Sequence, residues 1–295
     1  MSNIDLIKLV EKSIAVSKGT RIQRLKKAPQ KMLYSKILEF ITILFKNTIR
    51  IKTKTFWHEN MLVLIPEIVS LSIYRFGFFE EGLTRMVLEY LKPGMTFFDI
   101  GAHFGYFTLL ASVIVGNEGQ VHSFEPTPSS FDVLKTNVSN KGNVFLNNNA
   151  VFSKKKIISI NDYGTKYSAF NSIYNARIPQ NIRKKLKVEK YKVETISIDE
   201  YVENNGVVPD FIKIDAESAE HEILVGMKKT INRFHPIITI EVGDMDVEGV
   251  PTSKKLINFL IQRGYKPYEF KDGKILHHNL KKRYQYDNIL FLSSQ

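Results

Sequence analysis

Apolar residues recur along the 295-residue chain with two periods. In residues 3–17 they fall at Ile4, Ile7, Val10 and Ile14, a spacing that predicts a helix with one apolar face. Residues 18–30 are basic and end at Pro29, so they read as a linker. Residues 31–47 predict a second amphipathic helix through Leu33, Ile37, Phe40, Ile41 and Leu44. Met61 to Ile65 reads as a strand closed by Pro66. Glu67 to Tyr74 and Glu81 to Leu91 read as helices, and Lys92-Pro93-Gly94 is a strong stop.

From Met95 the pattern alternates. A strand at 95–100, a helix at 105–115, a strand at 120–125, a helix at about 129–140 and a strand at 143–146 follow in turn. Such βαβ alternation predicts a parallel sheet with helices on both faces. Lys156 to Ile160 and Tyr191 to Ile198 are β-like, and the polar, basic stretch between them reads as an insertion or flap near the sheet rim. Asp210 to Asp215 is a fourth strand, Ser218 to Ile231 a helix, Pro236 to Val242 a fifth strand and Thr252 to Arg263 a helix. Tyr265 to Phe270 and Asn288 to Leu292 are the last two strands, and the missing helix between them predicts one antiparallel strand. No repeat or low-complexity tract interrupts the series.

The first βα turn carries the chemistry. Phe97-Phe98-Asp99-Ile100 runs into Gly101-Ala102-His103-Phe104-Gly105, and Tyr106 to Val115 reads as an apolar helix. Glycines at 101 and 105 let a ligand approach the backbone, and free amides at the helix start favour polar or anionic groups. The next strand ends in Glu125, about 20 residues on, where a carboxylate accepts hydrogen bonds from a ribose. Adenosine binding is the expectation. The loop is not G-x-G-x-x-G, which counts against an NAD-dependent oxidoreductase.

Charge changes the picture at one end only. Residues 1–56 hold 13 Lys and Arg against Asp5, Glu11 and Glu39, so 13 minus 3 places +10 of the chain's +12 there. A solvated lysine-rich face accounts for this, as does binding to anionic lipid, glycolipid or nucleic acid. There is no cysteine, which excludes disulfides, thiolate metal sites and cysteine nucleophiles. Met1 to Val10 contains Asp5 and lacks a signal-peptide core. The longest early apolar run, Ile37 to Phe45, is interrupted by Glu39 and Thr42 and is too short to span a bilayer. The expectation is a soluble, cytoplasmic protein that associates peripherally with the inner membrane face.

Four strands end in acids: Asp99, Glu125, Asp215 and Glu241. These should cluster at the carboxyl rim of one sheet, although acids also cap helices. Lys213 alternates with Phe211 and Asp215, so the three share a face. Asp215, Glu217 and Glu241 form an oxygen-rich set to which a divalent cation is an alternative, but nothing besides the carboxylates supports a metal. In the insertion, Tyr167, Phe170, Asn171 and Arg177 interleave rings with polar groups, a mixture suited to stacking on a sugar, and the flap is expected to select the acceptor.

On these motifs the chain resembles the FkbM family of S-adenosylmethionine-dependent methyltransferases, from about Glu80 to Leu292. The resemblance is carried by Phe98-Asp-Ile-Gly-Ala-His-Phe-Gly105, by Phe124-Glu125-Pro126, and most specifically by Asp210-Phe-Ile-Lys-Ile-Asp-Ala-Glu-Ser-Ala-Glu220. Ser218 stands where the family typically has glycine, and His103 where asparagine is commoner. It implies a Rossmann-like class I methyltransferase fold: a doubly wound, mostly parallel seven-stranded sheet with one antiparallel strand. The domain organisation expected is a basic helical N-terminal extension over 1–56 and a methyltransferase domain over 57–295, with an insertion at about 151–198. S-adenosylmethionine is the implied methyl donor. Asp99, Gly101, Ala102, His103 and Gly105 would line its methionine end with Glu80, Glu125 would hold the ribose, and Asn149 and Ala150 would border the adenine. The resemblance implies O-methylation, with a saccharide or glycolipid as acceptor, Asp215, Glu217, Lys213 and Glu241 as catalytic candidates, and Tyr167, Phe170, Asn171 and Arg177 against substrate. The alternatives are methylation of another natural product or of nucleic acid. Against nucleic acid, the fourth strand lacks an Asn/Asp-Pro-Pro-aromatic loop. A non-catalytic basic membrane- or RNA-binding module is the reading from another class.

Overall fold

The computed structural model describes residues 2–174, 186–244 and 249–294. Its centre is an eight-stranded sheet. The strands in chain order are β1 (Ile49–Lys54), β2 (Asn60–Ile65), β3 (Thr96–Ile100), β4 (Gln120–Phe124), β5 (Val144–Asn147), β6 (Ala150–Val151), β7 (Ile157–Asp162), β8 (Glu189–Ile196), β9 (Phe211–Ile214), β10 (Ile237–Val242), β11 (Tyr265–Lys271), β12 (Lys274–His277) and β13 (Asp287–Ser293). The central order is β12-β11-β13-β10-β9-β3-β4-β5. The five strands from β10 to β5 are parallel, and β13 inserts antiparallel between β10 and β11. The order reverses at β3, the switch point where open α/β sheets bind ligands.

The alternating expectation holds for the parallel strands, and the strand count is corrected. Strand β12 pairs antiparallel with β11, so eight strands are present and two of them, β12 and β13, run against the rest. Short and mostly exposed, β12 lacks the apolar alternation that would reveal it. The helix expected over Ser218–Ile231 is two, Glu220–Val225 and Lys228–Phe234, divided at Gly226, where the Phe152 carbonyl packs so close that a Cβ would lie 2.2 Å from it. The insertion folds as a three-stranded sheet, β6-β8-β7, followed along the chain from β7 by a 3₁₀ turn at Thr165–Phe170.

The parallel strands β3, β4, β9 and β10 are buried on both faces, whereas β5 is a partly exposed edge strand. Successive residues feed opposite layers. Phe97 and Phe211 pack in one, with ring centroids 5.3 Å apart, while Phe98, Ile212 and Ile214 enter the other.

Upstream, the helices are α1 (Asn3–Ser17), α2 (Arg21–Lys27), α3 (Pro29–Phe45), α4 (Ile68–Phe76) and α5 (Glu81–Tyr90). Helix α1 buries Leu6, Val10 and Ile14 in the first layer. The stretch 18–30 is therefore no linker: α2 occupies it, and Thr20 and Gln23 form a capping box at its start. Helix α3 packs on α4 through Arg75, which donates to Ser35 Oγ at 2.9 Å and pairs with Glu39. Among the described residues, no helix is long and apolar enough to cross a membrane.

Candidate active site

The register of β3 on β9 sets Asp99 directly beside Lys213. Both are buried, and Lys213 Nζ lies 3.0 Å from Asp99 Oδ1. The ammonium also donates to Gly101 O at 2.9 Å and lies 3.6 Å from Asp215 Oδ2. Burial pulls the Lys213 pKa down, but the charges of Asp99 and Asp215 outweigh it and the net direction is up, so the group stays cationic. Thr108 Oγ1 donates to the other oxygen of Asp99 at 2.7 Å. Asp99 thus lies below the cavity floor rather than on its wall.

The glycines are also required by packing within the protein. At Gly101, with φ +77°, a Cβ would stand 1.7 Å from the Asp215 carbonyl. At Gly105, with φ +89°, it would meet Leu134 at 2.5 Å. Protein atoms, not a ligand, occupy the space a side chain would need. Gly105 does not reach the cavity; Gly101, Ala102 and His103 do.

Glu125 follows β4 and is buried. Its carboxylate accepts from the His103 N–H and the Thr127 N–H, each at 2.9 Å. Burial pushes this carboxyl up to about 7 against those two donors. The Thr127 hydroxyl is a further donor that opposes the upward shift. Asn149 and Ala150 line the same wall.

The other acids meet across the cavity. Asp215, Glu217 and Glu241 each bring a carboxylate oxygen within 4.8 Å of the others. Asp215 and Glu217 face the cavity, whereas Glu241 lies behind them and hydrogen-bonds with Tyr286. Glu80, which precedes α5, accepts from Tyr286 Oη at 3.1 Å. Burial, then the charge of Asp215, pushes the Glu80 carboxyl up to about 7. The turn after β9 is held at positive φ at Glu217 (45°) and Ser218 (83°), so Ser218 occupies a conformation that suits glycine. Glu220 pins this turn by accepting from the Ala216 and Ser218 amides.

One cavity of about 640 Å³ joins Glu125, Asn149, Lys213, Asp215, Glu217 and Glu80. The insertion closes over it. His103 Nε2 is 2.9 Å from Ser168 Oγ, and Ser172 Oγ donates to the Glu217 carbonyl. Burial, with the charge of Lys213, pushes the His103 pKa down to about 3, so this ring is neutral. Phe170 and Asn171 line the cavity; Tyr167 instead packs with Tyr163 beside Phe170. Asn171 Oδ1 accepts from the Tyr163 amide, and its buried Nδ2 has no partner among the described residues. Arg177 lies outside the described residues.

Sequence reasoning missed Tyr286, Ser168, Ser172 and the apolar wall of Met61, Ile68, Val69, Ile73 and Phe79. No motif marks them. The periodicity of α4 was the one available signal, since its apolar face had to meet something.

Several solved structures are similar at low identity. A methyltransferase FkbM from Methylobacillus flagellatus is 14% identical over 75% of this chain and 52% of its own, with a TM-score of 0.40. The chain therefore spans about half the length of that protein. Aeropyrum pernix fibrillarin, in complex with natively bound S-adenosyl-L-methionine, is 16% identical over 69% of this chain and 68% of its own, with a TM-score of 0.37. A precorrin-6y C5,15-methyltransferase from Geobacter metallireducens is 14% identical over 72% and 87%, with a TM-score of 0.41. No curated protein matches the sequence. Residues 99–267, 169 of the 295, match the methyltransferase FkbM domain, and the chain belongs to that family of S-adenosylmethionine-dependent methyltransferases.

Proposed function

We propose that this chain methylates a hydroxyl oxygen of a glycolipid or saccharide, with S-adenosylmethionine as donor. The observation that carries the reading is the single cavity with a ribose-type carboxylate, Glu125, at one wall and a proton-accepting pair, Asp215 and Glu217, at another. Its volume falls in the range of small-molecule sites, roughly 300–1,000 Å³.

The donor set fits the cofactor. Glu125 would accept from the ribose hydroxyls, and Asn149 and Ala150 would border the adenine. Gly101, Ala102 and His103 shape the methionine end, where Glu80 and Asp215 supply negative charge for an ammonium. Asp99 and Gly105 act as positioning residues, the first through Lys213 and the second through packing on Leu134. The bound cofactor supplies a methyl group already activated by its sulfonium.

The protein's task is then alignment and proton removal. Glu217 accepts the hydroxyl proton, with Glu241 behind it. Lys213 fixes Asp215 and, through Gly101 O, ties the acid turn to the glycine loop. The ring of Phe170 and the free amide N–H of Asn171 suit a sugar. The apolar wall from Met61 to Phe79 suits an acceptor that also carries an apolar part, which favours a glycolipid over a free saccharide.

Calorimetry with S-adenosylmethionine, S-adenosylhomocysteine and NAD tests the cofactor half. The first two are expected to bind, and Glu125→Ala to weaken both by at least about tenfold, the loss of a good hydrogen bond to a charged group. Glu217→Gln should keep cofactor binding and lower labelled-methyl transfer to a glycolipid panel by about 10²- to 10⁴-fold, the usual contribution of a general base. Repeating the assay with a chelator separates proton transfer from a metal-dependent reaction. Binding of NAD alone, or full transfer by Glu217→Gln, would overturn the proposal.

A further inference from the structure

Helix α3 is amphipathic in the sense opposite to a helix that packs on a water-soluble core. Its buried side carries Ser35 and Thr42, with Glu39 half-buried against Arg75. Its other side carries Leu33, Ile37, Phe40 and Leu44 at helical spacing, and these are 59, 42, 65 and 62% exposed. Ile43 and Phe45 extend the face toward its C-terminal end, and Ile22 and Leu25 of α2 are exposed as well. Of the 19 large apolar side chains that stand exposed among the described residues, nine fall in residues 22–45. An apolar concentration of this kind marks a contact surface rather than chance exposure.

The charge around it states the partner. Residues 21–46 hold Arg21, Arg24, Lys26, Lys27, Lys31, Lys36 and Lys46 against Glu39 alone, and Glu39 is paired with Arg75. That is 7 minus 1, or +6. A second copy of this chain would bring the same charge to the same face and be repelled. An anionic bilayer complements both properties, accepting apolar side chains below its headgroups and cations among them. The helix has 17 residues with Lys31, Lys36 and Glu39 within it, so it lies on a membrane rather than crossing it.

The helix adjoins an element that walls the site. Helix α3 packs on α4, and α4 gives Ile68, Val69 and Ile73 to the apolar wall of the cavity. Ile68 is both half exposed and part of that wall. We infer that α2 and α3 form an interfacial anchor for an anionic bilayer, which holds the cavity mouth against the lipid headgroups so that the acceptor enters from the membrane. The anchor stands without the methyl-transfer reading; the acceptor's entry from the membrane rests on it.

Vesicle flotation of the full chain tests the anchor. Vesicles of phosphatidylcholine with about one third phosphatidylglycerol should carry the protein, and vesicles of phosphatidylcholine alone should carry much less. Raising salt to about 0.5 M should weaken the first association. The triple variant Ile37→Asn, Phe40→Ser, Leu44→Ser should partition at least about tenfold less, since three apolar side chains leave the interface. All three are exposed, so its thermal unfolding should match that of the native sequence. Binding of S-adenosylhomocysteine by the triple variant, measured separately, should be unchanged. If the cofactor reading alone fails, vesicle binding persists without cofactor binding. No association of the native chain with anionic vesicles, or equal association of the triple variant, would overturn the anchor. So would a native dimer in light scattering that the triple variant converts to a monomer, because a second copy would then cover the face.

Discussion

Helices α1 and α3 carry similar patterns and opposite fates. Each has an apolar stripe at helical spacing, and each is rich in lysine on the remaining positions. The buried face of α1 is Leu6, Val10 and Ile14, with Ile4 left exposed. It packs against α5 and α4, with Asn3 donating to the carbonyls of Leu88 and Leu91 and Arg85 pairing with Glu11 at 3.1 Å. The stripe of α3 faces outward, and its polar side is docked on Arg75. Periodicity therefore identifies that a face will be covered but not by what. The polar partners decide: Arg75 on α4 offers α3 an ion pair, and the stripe is left for another medium.

The comparison can be broken at three strengths. The largest effect is expected from truncation of the buried stripe. Leu6→Ala should cost about 2–5 kcal/mol by chemical denaturation, and Leu44→Ala on α3 less than about 0.5 kcal/mol. Equal costs would mean that the α3 stripe is also covered in solution.

A middle effect concerns pH. Glu67 caps α4, the helix that α3 packs on, accepting from the Val69 and Ser70 amides at 2.8 and 2.6 Å. Burial pushes its carboxyl from 4.5 up to about 7 against those donors. The folded state thus binds more protons than the unfolded state between pH 4.5 and 7, so stability falls as pH rises through that window and levels off above it. Thermal melts across the window should show a decline on the order of 3 kcal/mol from this group. Glu67→Gln should reduce the slope by that share, whatever it does to the absolute level. Glu80 and Glu125, also pushed up to about 7, keep part of the slope in the variant.

The smallest effect is local. Arg75→Ala removes the partner of Ser35 and Glu39 and should cost about 1 kcal/mol. Hydrogen exchange should then accelerate in α3 while α1 remains protected. Acceleration in both helices would show that the two are one cooperative unit.

The sequence made the parallel half of the sheet legible because its central strands β3, β4, β9 and β10 are buried on both faces and the turns after them carry an acid or a glycine. Where burial is partial the signal fades. Strand β12 lies at an exposed edge, and the helix break between Val225 and Lys228 falls at Gly226, which packs on a carbonyl from Phe152, more than 70 residues earlier. The capping box of α2 was visible as Thr20-x-x-Gln23, but the basic composition around it pointed to a linker instead. In the site, Glu125, Asp215 and Glu217 were readable as acids at strand ends. Tyr286, Ser168 and Ser172 reach the cavity through long-range contacts that no local spacing encodes. The glycine loop was legible, but one of its reasons was not: Gly101 also makes room for the Asp215 carbonyl, a contact from the turn after β9, more than 100 residues on.

That contact has a consequence for how this protein is dissected. The loop under the cofactor and the turn that carries the acids touch backbone to backbone at Gly101, and Lys213 bridges the same two segments. They behave as one mechanical part. A side chain introduced at 101 displaces the turn of Asp215 and Glu217 as surely as it disturbs the glycine loop, the proposed methionine end, so loss of activity there would carry no information on which of the two had failed. Only side-chain substitutions that spare this shared vertex, at Glu125 on one side and Glu217 on the other, can separate recognition from chemistry.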